Sequence, residues 1–296
     1  MEYVDPLTLG PLERGAEGYV HEASGRRYPV RAGVPEFNVE ELPLIDSTAP
    51  VHRDYGTTFH YRTHYQLDAD YFDYFAAPPV PAWVDENRRL HEVILGHVPA
   101  APATVLDVGC GNAWLAGALL QRDGYHVLSA DVSTTNPRRA LATYPSPRHE
   151  ALVADAYFLP LPDASVDCVV AAEVIEHVPD PVAFVASLYR VLRPGGRVIV
   201  TTPYAQRLVY NMCVHCDRPT PQDAHIHHFD EGNVGRLVPS GARLYTERFN
   251  NHLLTKARAY KLTRRLPHGA WRRLDGLASR LFGKPARYLL RFDKPA

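Results

Sequence analysis

Three carboxylates stand at intervals that suit a nucleoside. Asp107 closes the run Thr104-Val105-Leu106-Asp107, and Gly109 and Gly111 follow it before a helical stretch. Glycines at such a turn let a ligand come close to the backbone, and the start of the helix behind them offers N–H groups and positive potential. Asp131 lies twenty-two residues beyond Gly109, at the end of the next run, where a carboxylate can accept from both ribose hydroxyls. Asp155 ends a third run, Val153-Ala154-Asp155-Ala156, where it could accept from an adenine amino group. A dinucleotide suits the segment less well. Ala113 stands where the third glycine of that fingerprint belongs, and a carboxylate at Asp107 favours a cationic ligand that carries an amino acid.

A second group follows the fourth β-branched run. If Glu173, Glu176 and His177 lie on a helix, their spacing puts all three on one face, which would make half of an octahedral site for Mg²⁺, Mn²⁺ or a similar ion. The run Ala224-His225-Ile226-His227-His228-Phe229-Asp230-Glu231 is placed to return over the same strand ends and supply a further ligand. Such an ion would lower the pKa of a bound hydroxyl; without it, His177 or a loop histidine would be the general base. The plainer alternative is that Glu173, Glu176 and His177 only cap and orient their loop. Cys213 and Cys216, with His225 or His227, offer the ligand types of a structural zinc site, although one Cys-x-x-Cys pair is half a signature and reads equally as two ordinary thiols.

These residues need strand ends to hold them in register. Short β-branched runs alternate with helical stretches from Thr104 onward, which predicts βαβ units and an α/β, Rossmann-like, doubly wound, mostly parallel sheet. The expected strands are 104–107, 126–131, 150–153, 166–171 and 196–202, with helices near 112–122, 136–143 and 181–192, and Pro194-Gly195-Gly196 as the turn into the last strand. A further amphipathic helix is expected over 85–97, with Leu90, Val93, Ile94 and His97 on one face. Residues 51–84 are dense in aromatics and could roof a pocket, although packing on a sheet edge is the simpler expectation for any one tyrosine.

We divide the chain into a small N-terminal appendage (1–50) with at most a hairpin, a catalytic domain (51–250) with a Cys/His-rich insertion (204–232), and a basic amphipathic helical tail (251–296). Net charge is -1, yet residues 204–296 carry 17 Lys or Arg and 7 Asp or Glu. The tail, with Trp271, Leu274, Ala278, Leu281 and Phe282 at helical spacing, suits an anionic membrane surface, RNA or a phosphorylated substrate, or the acidic remainder of the chain, the last being the simplest. No apolar run is long enough to span a bilayer, and the opening residues lack a signal-peptide pattern, so a cytoplasmic, reduced protein is expected.

Across about residues 85–203 the chain closely resembles the class I S-adenosylmethionine-dependent methyltransferases, in their type 11 and ubiquinone-biosynthesis branches. The resemblance rests on Val105-Leu106-Asp107-Val108-Gly109-Cys110-Gly111-Asn112, Asp131, Ala154-Asp155-Ala156-Tyr157-Phe158-Leu159-Pro160, Asp163-Ala164-Ser165-Val166-Asp167, Glu173-Val174-Ile175-Glu176-His177-Val178 and Val191-Leu192-Arg193-Pro194-Gly195-Gly196, in that order. It implies S-adenosylmethionine as cofactor. Asp107, Gly109 and Gly111 would then hold the methionine part, Asp131 with Val132 the ribose, Asp155 with Ala156 the adenine, and Glu173 would stand by the cofactor.

The Glu-x-x-Glu-His segment with the later His227 also resembles the metal-dependent small-RNA 2′-O-methyltransferases, which implies Glu173, Glu176, His177 and His227 as ligands of Mg, Mn or Zn. Residues 1–50 faintly resemble the Trm112-like ribbon without its zinc cysteines. The function expected first is methyl transfer to an oxygen of a hydroxylated small molecule, with Glu176, His177 and His227 catalytic. RNA 2′-O-methylation and a non-catalytic cofactor-binding partner protein are the alternatives. Oligomeric state is not legible.

Overall fold

A computed structural model describes residues 1–56 and 58–296. The first element is a small antiparallel sheet of β1 (Glu13–Arg14), β2 (Gly18–His21), β3 (Arg26–Arg31) and β4 (Val34–Pro35). This is more than the hairpin expected. Tyr3, Tyr28 and Phe37 are buried together and join the main core, and the Phe37 N–H donates to the Val153 carbonyl, so the segment continues across an edge of the large sheet.

Helices α1 (Pro50–Tyr55), α2 (Tyr61–Tyr71) and α3 (Pro81–His97) come next. The alternating region then runs β5 (Ala103–Val108), α4 (Trp114–Leu119), β6 (Tyr125–Asp131), α5 (Thr135–Thr143), β7 (His149–Val153), β8 (Val166–Ala172), α6 (Pro181–Arg190) and β9 (Leu192–Pro203). Each expected strand is present within a few residues. Asp180 caps α6 by accepting from the Val182 and Ala183 N–H groups, with Pro181 at the first helical position. Strand β9 pairs from Leu192, ahead of the expected turn, because Val166 meets Leu192 before a register shift around Gly195 and Gly196.

Beyond Pro203 come the hairpin β10 (Tyr210–Met212) and β11 (Pro219–Pro221), then β12 (Arg243–Asn251), α7 (His252–Lys256), α8 (Tyr260–Thr263), α9 (His268–Phe282) and β13 (Pro285–Asp293). The large sheet has the order β12-β13-β9-β8-β5-β6-β7, parallel except for β13, which is antiparallel to both neighbours. Residues 285–293, expected within a helical tail, therefore form a strand: Tyr288, Leu289, Leu290 and Phe292 are fully buried between β12 and β9. Helix α9 buries Trp271, Asp275 and Ala278 against the sheet, while Leu281 and Phe282 face outward, contrary to the apolar stripe expected.

Both faces of the sheet are covered, which requires apolar side chains at successive positions. Val105, Val127, Val170 and Ile199 pack under α3, α4 and α9, while Leu106, Leu128, Val169 and Val198 pack under α6 and the N-terminal sheet. The parallel order reverses between β5 and β8, and ligands of such sheets bind beyond the carboxyl ends at that reversal. Among the described residues no helix is long and apolar enough to cross a membrane.

Candidate functional site

Strand β5 ends in the turn Gly109-Cys110-Gly111-Asn112-Ala113, whose Gly109, Gly111 and Ala113 have φ of 69°, 49° and 52°. A Cβ on Gly109 would lie 2.6 Å from Val174 Cγ2, so the residue is fixed by both conformation and space. The three acidic strand ends arrive together but in different states. Asp131 is engaged within the protein: it accepts from the Gly111 N–H at 3.2 Å, the Ser133 N–H and Oγ at 2.9 Å, and Asn136 Nδ2 at 3.2 Å. Asp155 accepts from the Tyr157 N–H and the Tyr61 hydroxyl, with Arg62 Nη1 at 3.7 Å. Asp107 differs. Its Oδ2 is buried with no hydrogen-bond partner among the described residues, and burial, with Asp131 nearby, pushes its pKa up to about 7.

An orphaned buried oxygen beside a positive-φ glycine turn fits a ligand that brings an ammonium group, because such a group would supply the missing donor and restore the ionised form. Val132 takes part through its carbonyl, which accepts from Asn38 Nδ2, and Ala156 opens the single 3₁₀ turn capped by Asp155.

Aromatic residues do roof the site. Along α2, Tyr61 reaches Asp155, Tyr65 donates to the His177 carbonyl at 3.4 Å, and Gln66 Oε1 accepts from the Thr134 N–H at 2.8 Å. Tyr71, on the same helix, is 83% exposed and contributes nothing to this roof.

Glu173, Glu176 and His177 do not share a helical face. Glu173 has φ 55°, outside any helix, and only Ile175–His177 forms one 3₁₀ turn. Left-handed backbone at a glutamate is strained, and the neighbouring structure holds it: its N–H donates to the Thr201 carbonyl at 3.0 Å and its Oε2 meets Arg287 Nε at 3.0 Å. Glu176 turns inward, 1% exposed, with neither carboxylate oxygen hydrogen-bonded among the described residues. Burial and then the nearby Glu173 hold its pKa well above the ordinary range.

His177 and His225 close on Glu176, so that one ligand atom from each lies within 4.8 Å of the others. Burial, and then His225, lower the His177 pKa to about 3, so its ring is neutral. As a neutral ring, His177 donates from Nδ1 to the Ala224 carbonyl at 3.2 Å and keeps a lone pair on Nε2. Nδ1 of His225 is held by Gln206 Oε1 in the same way. Orientation of one ring nitrogen by an outer carbonyl is the usual support for a ligand histidine.

The fourth member expected here was His227, and that assignment needs correction. Its Nε2 lies against the Pro179 carbonyl at 3.3 Å and its ring sits 6.3 Å from Phe229, while burial lowers its pKa to about 4. Ile226 and His227 both donate their N–H groups to the Glu176 carbonyl, and that anchor turns His225 toward the acidic group. The zinc set of Cys213, Cys216 and His225 is not assembled either. The two cysteines sit at the open tip of the β10–β11 hairpin, and His225 belongs to the inner cluster. Arg287 escaped the sequence reading; nothing local marks it, and it arrives from the far end of the chain on β13.

Comparison with known proteins bears on this geometry. Residues 106–200 match the family described as a methyltransferase domain. A Mycolicibacterium smegmatis protein named a probable S-adenosylmethionine-dependent methyltransferase is 40% identical over 131 residues, which are 42% of this chain and 49% of that one. A ubiquinone biosynthesis O-methyltransferase of Paracidovorax citrulli is 36% identical over 129 residues, 40% of this chain and 53% of that one. The chain thus spans about half the length of these relatives. A crystal structure of an S-adenosylmethionine dependent methyltransferase from Mesorhizobium loti superposes with a TM-score of 0.52 at 19% identity, covering 71% of this chain and 100% of that one, which shows the shared fold.

Proposed function

We propose that the chain, whose residues 106–200 match the family described as a methyltransferase domain, transfers a methyl group from S-adenosylmethionine to an oxygen of a hydroxylated small molecule, with a divalent metal held by Glu176, His177 and His225. The observation that carries the reading is the buried, unpartnered carboxylate of Glu176 beside two neutral imidazoles, each held at Nδ1 by an outer carbonyl oxygen. The relative named a ubiquinone biosynthesis O-methyltransferase supports oxygen as the acceptor atom.

The cofactor supplies an electrophilic methyl on a sulfonium, and a divalent metal would lower the pKa of a coordinated hydroxyl. Everything else falls to this chain. Asp107 receives the ligand's ammonium group, the turn at Gly109 lets it approach, and α2 closes over it and excludes water. Proximity and alignment then supply much of the rate, since displacement at a methyl carbon needs an in-line nucleophile more than acid–base help. Absent metal, the neutral ring of His177 takes the hydroxyl proton, since Glu176, whose pKa is held well above the ordinary range, already carries its own.

The test is turnover on a panel of phenols, catechols and sugars with labelled S-adenosylmethionine, before and after chelation, alongside metal analysis of the purified chain. Labelled O-methyl product lost on chelation and restored by Mg²⁺ or Mn²⁺ upholds the proposal. Undiminished turnover in chelator removes the metal, and exclusive N- or C-methyl product removes the oxygen.

A further inference from the structure

Residues 252–284 leave the sheet at its carboxyl end, where Asn251 pairs with Pro285 beside Arg287, and Arg287 reaches Glu173. The N-terminal turn of α3 lies against them: a cavity of about 480 Å³ is lined by Pro79, Pro81, Val84 and the ion-paired Asp85 and Arg88 from one side and by Tyr260, Arg264 and Arg265 from the other. Two properties coincide on this rim. Large apolar side chains are bare, with Leu262 85%, Leu281 66%, Phe282 61% and Trp83 53% exposed. Cations stand between them. Arg272 and Arg287 are neutralised by Glu247, Asp275 and Glu173, whereas among the described residues Lys256, Lys261, Arg264, Arg265, Arg273 and Arg280 are exposed and meet no carboxylate.

We propose that this rim, formed by the first turn of α3 with α8 and α9, is a docking surface for an anionic lipid bilayer. The charge is of the right sign, and a polyanion alone would not account for a leucine between Lys261 and Arg264, or for Leu277, Leu281 and Phe282 beside Arg273 and Arg280. Interfacial segments combine these two features, because apolar side chains enter the acyl boundary while cations stay with the headgroups, and an exposed tryptophan suits the level between. The cavity between α3 and α8, with two unpaired guanidinium groups at an apolar mouth, suits a lipid phosphate. The surface is carried at the same end of the sheet as Asp107 and Glu176, but binding is read without methyl transfer, so it stands or fails independently of the acceptor chemistry.

The full chain is sedimented with vesicles of equal phosphatidylglycerol and phosphatidylcholine, and with phosphatidylcholine alone, at near-physiological ionic strength. It is expected to pellet with the first and not the second. Each basic side chain near an anionic surface raises partitioning about fivefold, so Lys261→Glu with Arg264→Glu and Arg265→Glu should weaken it by ~100-fold or more. Leu262→Asp, an exposed change with little reason to disturb folding, should weaken it by ~10-fold.

Trp83 provides a second reading. Trp271 is buried and Trp114 is stacked on His91 at 3.7 Å, so a blue shift of emission on vesicles should vanish in Trp83→Phe. A wild-type chain that stays in the supernatant while the anionic vesicles pellet overturns the proposal. So does a Leu262→Asp variant that binds vesicles as well as wild type, since binding would then be to charge alone and single-stranded RNA should serve equally.

Discussion

Asp5 and Glu176 are both buried carboxylates beside a histidine, and their surroundings are opposite. Asp5, in the N-terminal sheet, is saturated. Arg26 Nε and Nη2 reach it at 2.9 and 3.0 Å, the Tyr28 hydroxyl at 2.7 Å and the Thr8 N–H at 2.8 Å, while His21 is held between it and Ser24. Against the upward push of burial, the hydrogen bonds from Arg26, Tyr28 and Thr8 bring its pKa below the ordinary carboxylate range. Glu176 has no such partner on either oxygen, and its pKa is driven the other way. The first arrangement uses a charge to hold the fold together. The second keeps unmet bonding capacity inside the fold, which is the mark of a group reserved for a ligand.

The largest effect expected from this contrast is on turnover. Glu176→Gln should lower methyl transfer about 10²–10³-fold, the range seen when one positioned hydrogen-bonding group is removed from an active site, while the protein stays folded. Glu176 binds its proton more tightly in the folded chain than in the unfolded one. Stability in wild type therefore falls as pH rises from the ordinary glutamate value through the folded pKa, and thermal unfolding of Glu176→Gln across that range should show a shallower decline. A steeper decline, or loss of the fold, would put Glu176 in the same structural class as Asp5.

Second in size is Asp107→Asn, expected to weaken S-adenosylmethionine binding by about 100-fold in calorimetry, as loss of a buried charge pair commonly does. With its pKa raised to about 7, its removal should also make unfolding less dependent on pH between the ordinary aspartate value and neutrality. Unchanged affinity would detach the orphaned oxygen from the cofactor.

Asp5→Asn reverses the pattern. It should cost about 2–4 kcal/mol at pH 7, since it removes the charge that the half-buried Arg26 guanidinium pairs with, yet leave turnover per folded molecule as it was. Because the folded pKa of Asp5 is depressed, its stabilisation is present above the unfolded value and is lost as pH falls through the folded one. Denaturant midpoints of wild type and variant should therefore differ at pH 7 and draw together as pH falls below 4. Ser24→Ala, which removes only the hydroxyl at 2.7 Å from His21, is expected to cost about 1 kcal/mol and nothing in activity.

The same contrast explains what could be read in advance. Strands β5 to β9 are buried on both faces, so Val105-Leu106 or Val169-Val170 declares itself as a short apolar run. Asp107, Asp131 and Asp155 follow from their places at the ends of such runs. What escaped depends on pairing over long distances. Tyr288-Leu289-Leu290-Arg291-Phe292 lies in a basic stretch, and only the partners Val198 to Thr202 and Leu244 to Arg248 make it a strand. The N-terminal sheet was underestimated because its core joins Tyr3, Tyr28 and Phe37, aromatics too far apart in sequence to form a pattern. The resemblance implies His227 rather than His225, and the sequence cannot show that the Glu176 carbonyl anchors Ile226 and His227 and so selects the side chain before them.

Strand β13 also bears on how the chain is made. It lies between β9 and β12, although both precede it in sequence. About 80 residues separate Pro203 from Pro285, so a ribosome adding 5–20 residues per second leaves the backbone edge of β9 bare for roughly 4–16 s. A bare, apolar strand edge is a template for pairing with other chains. During those seconds the nascent protein needs either shielding or luck, and a truncation anywhere before residue 285 would make the exposure permanent.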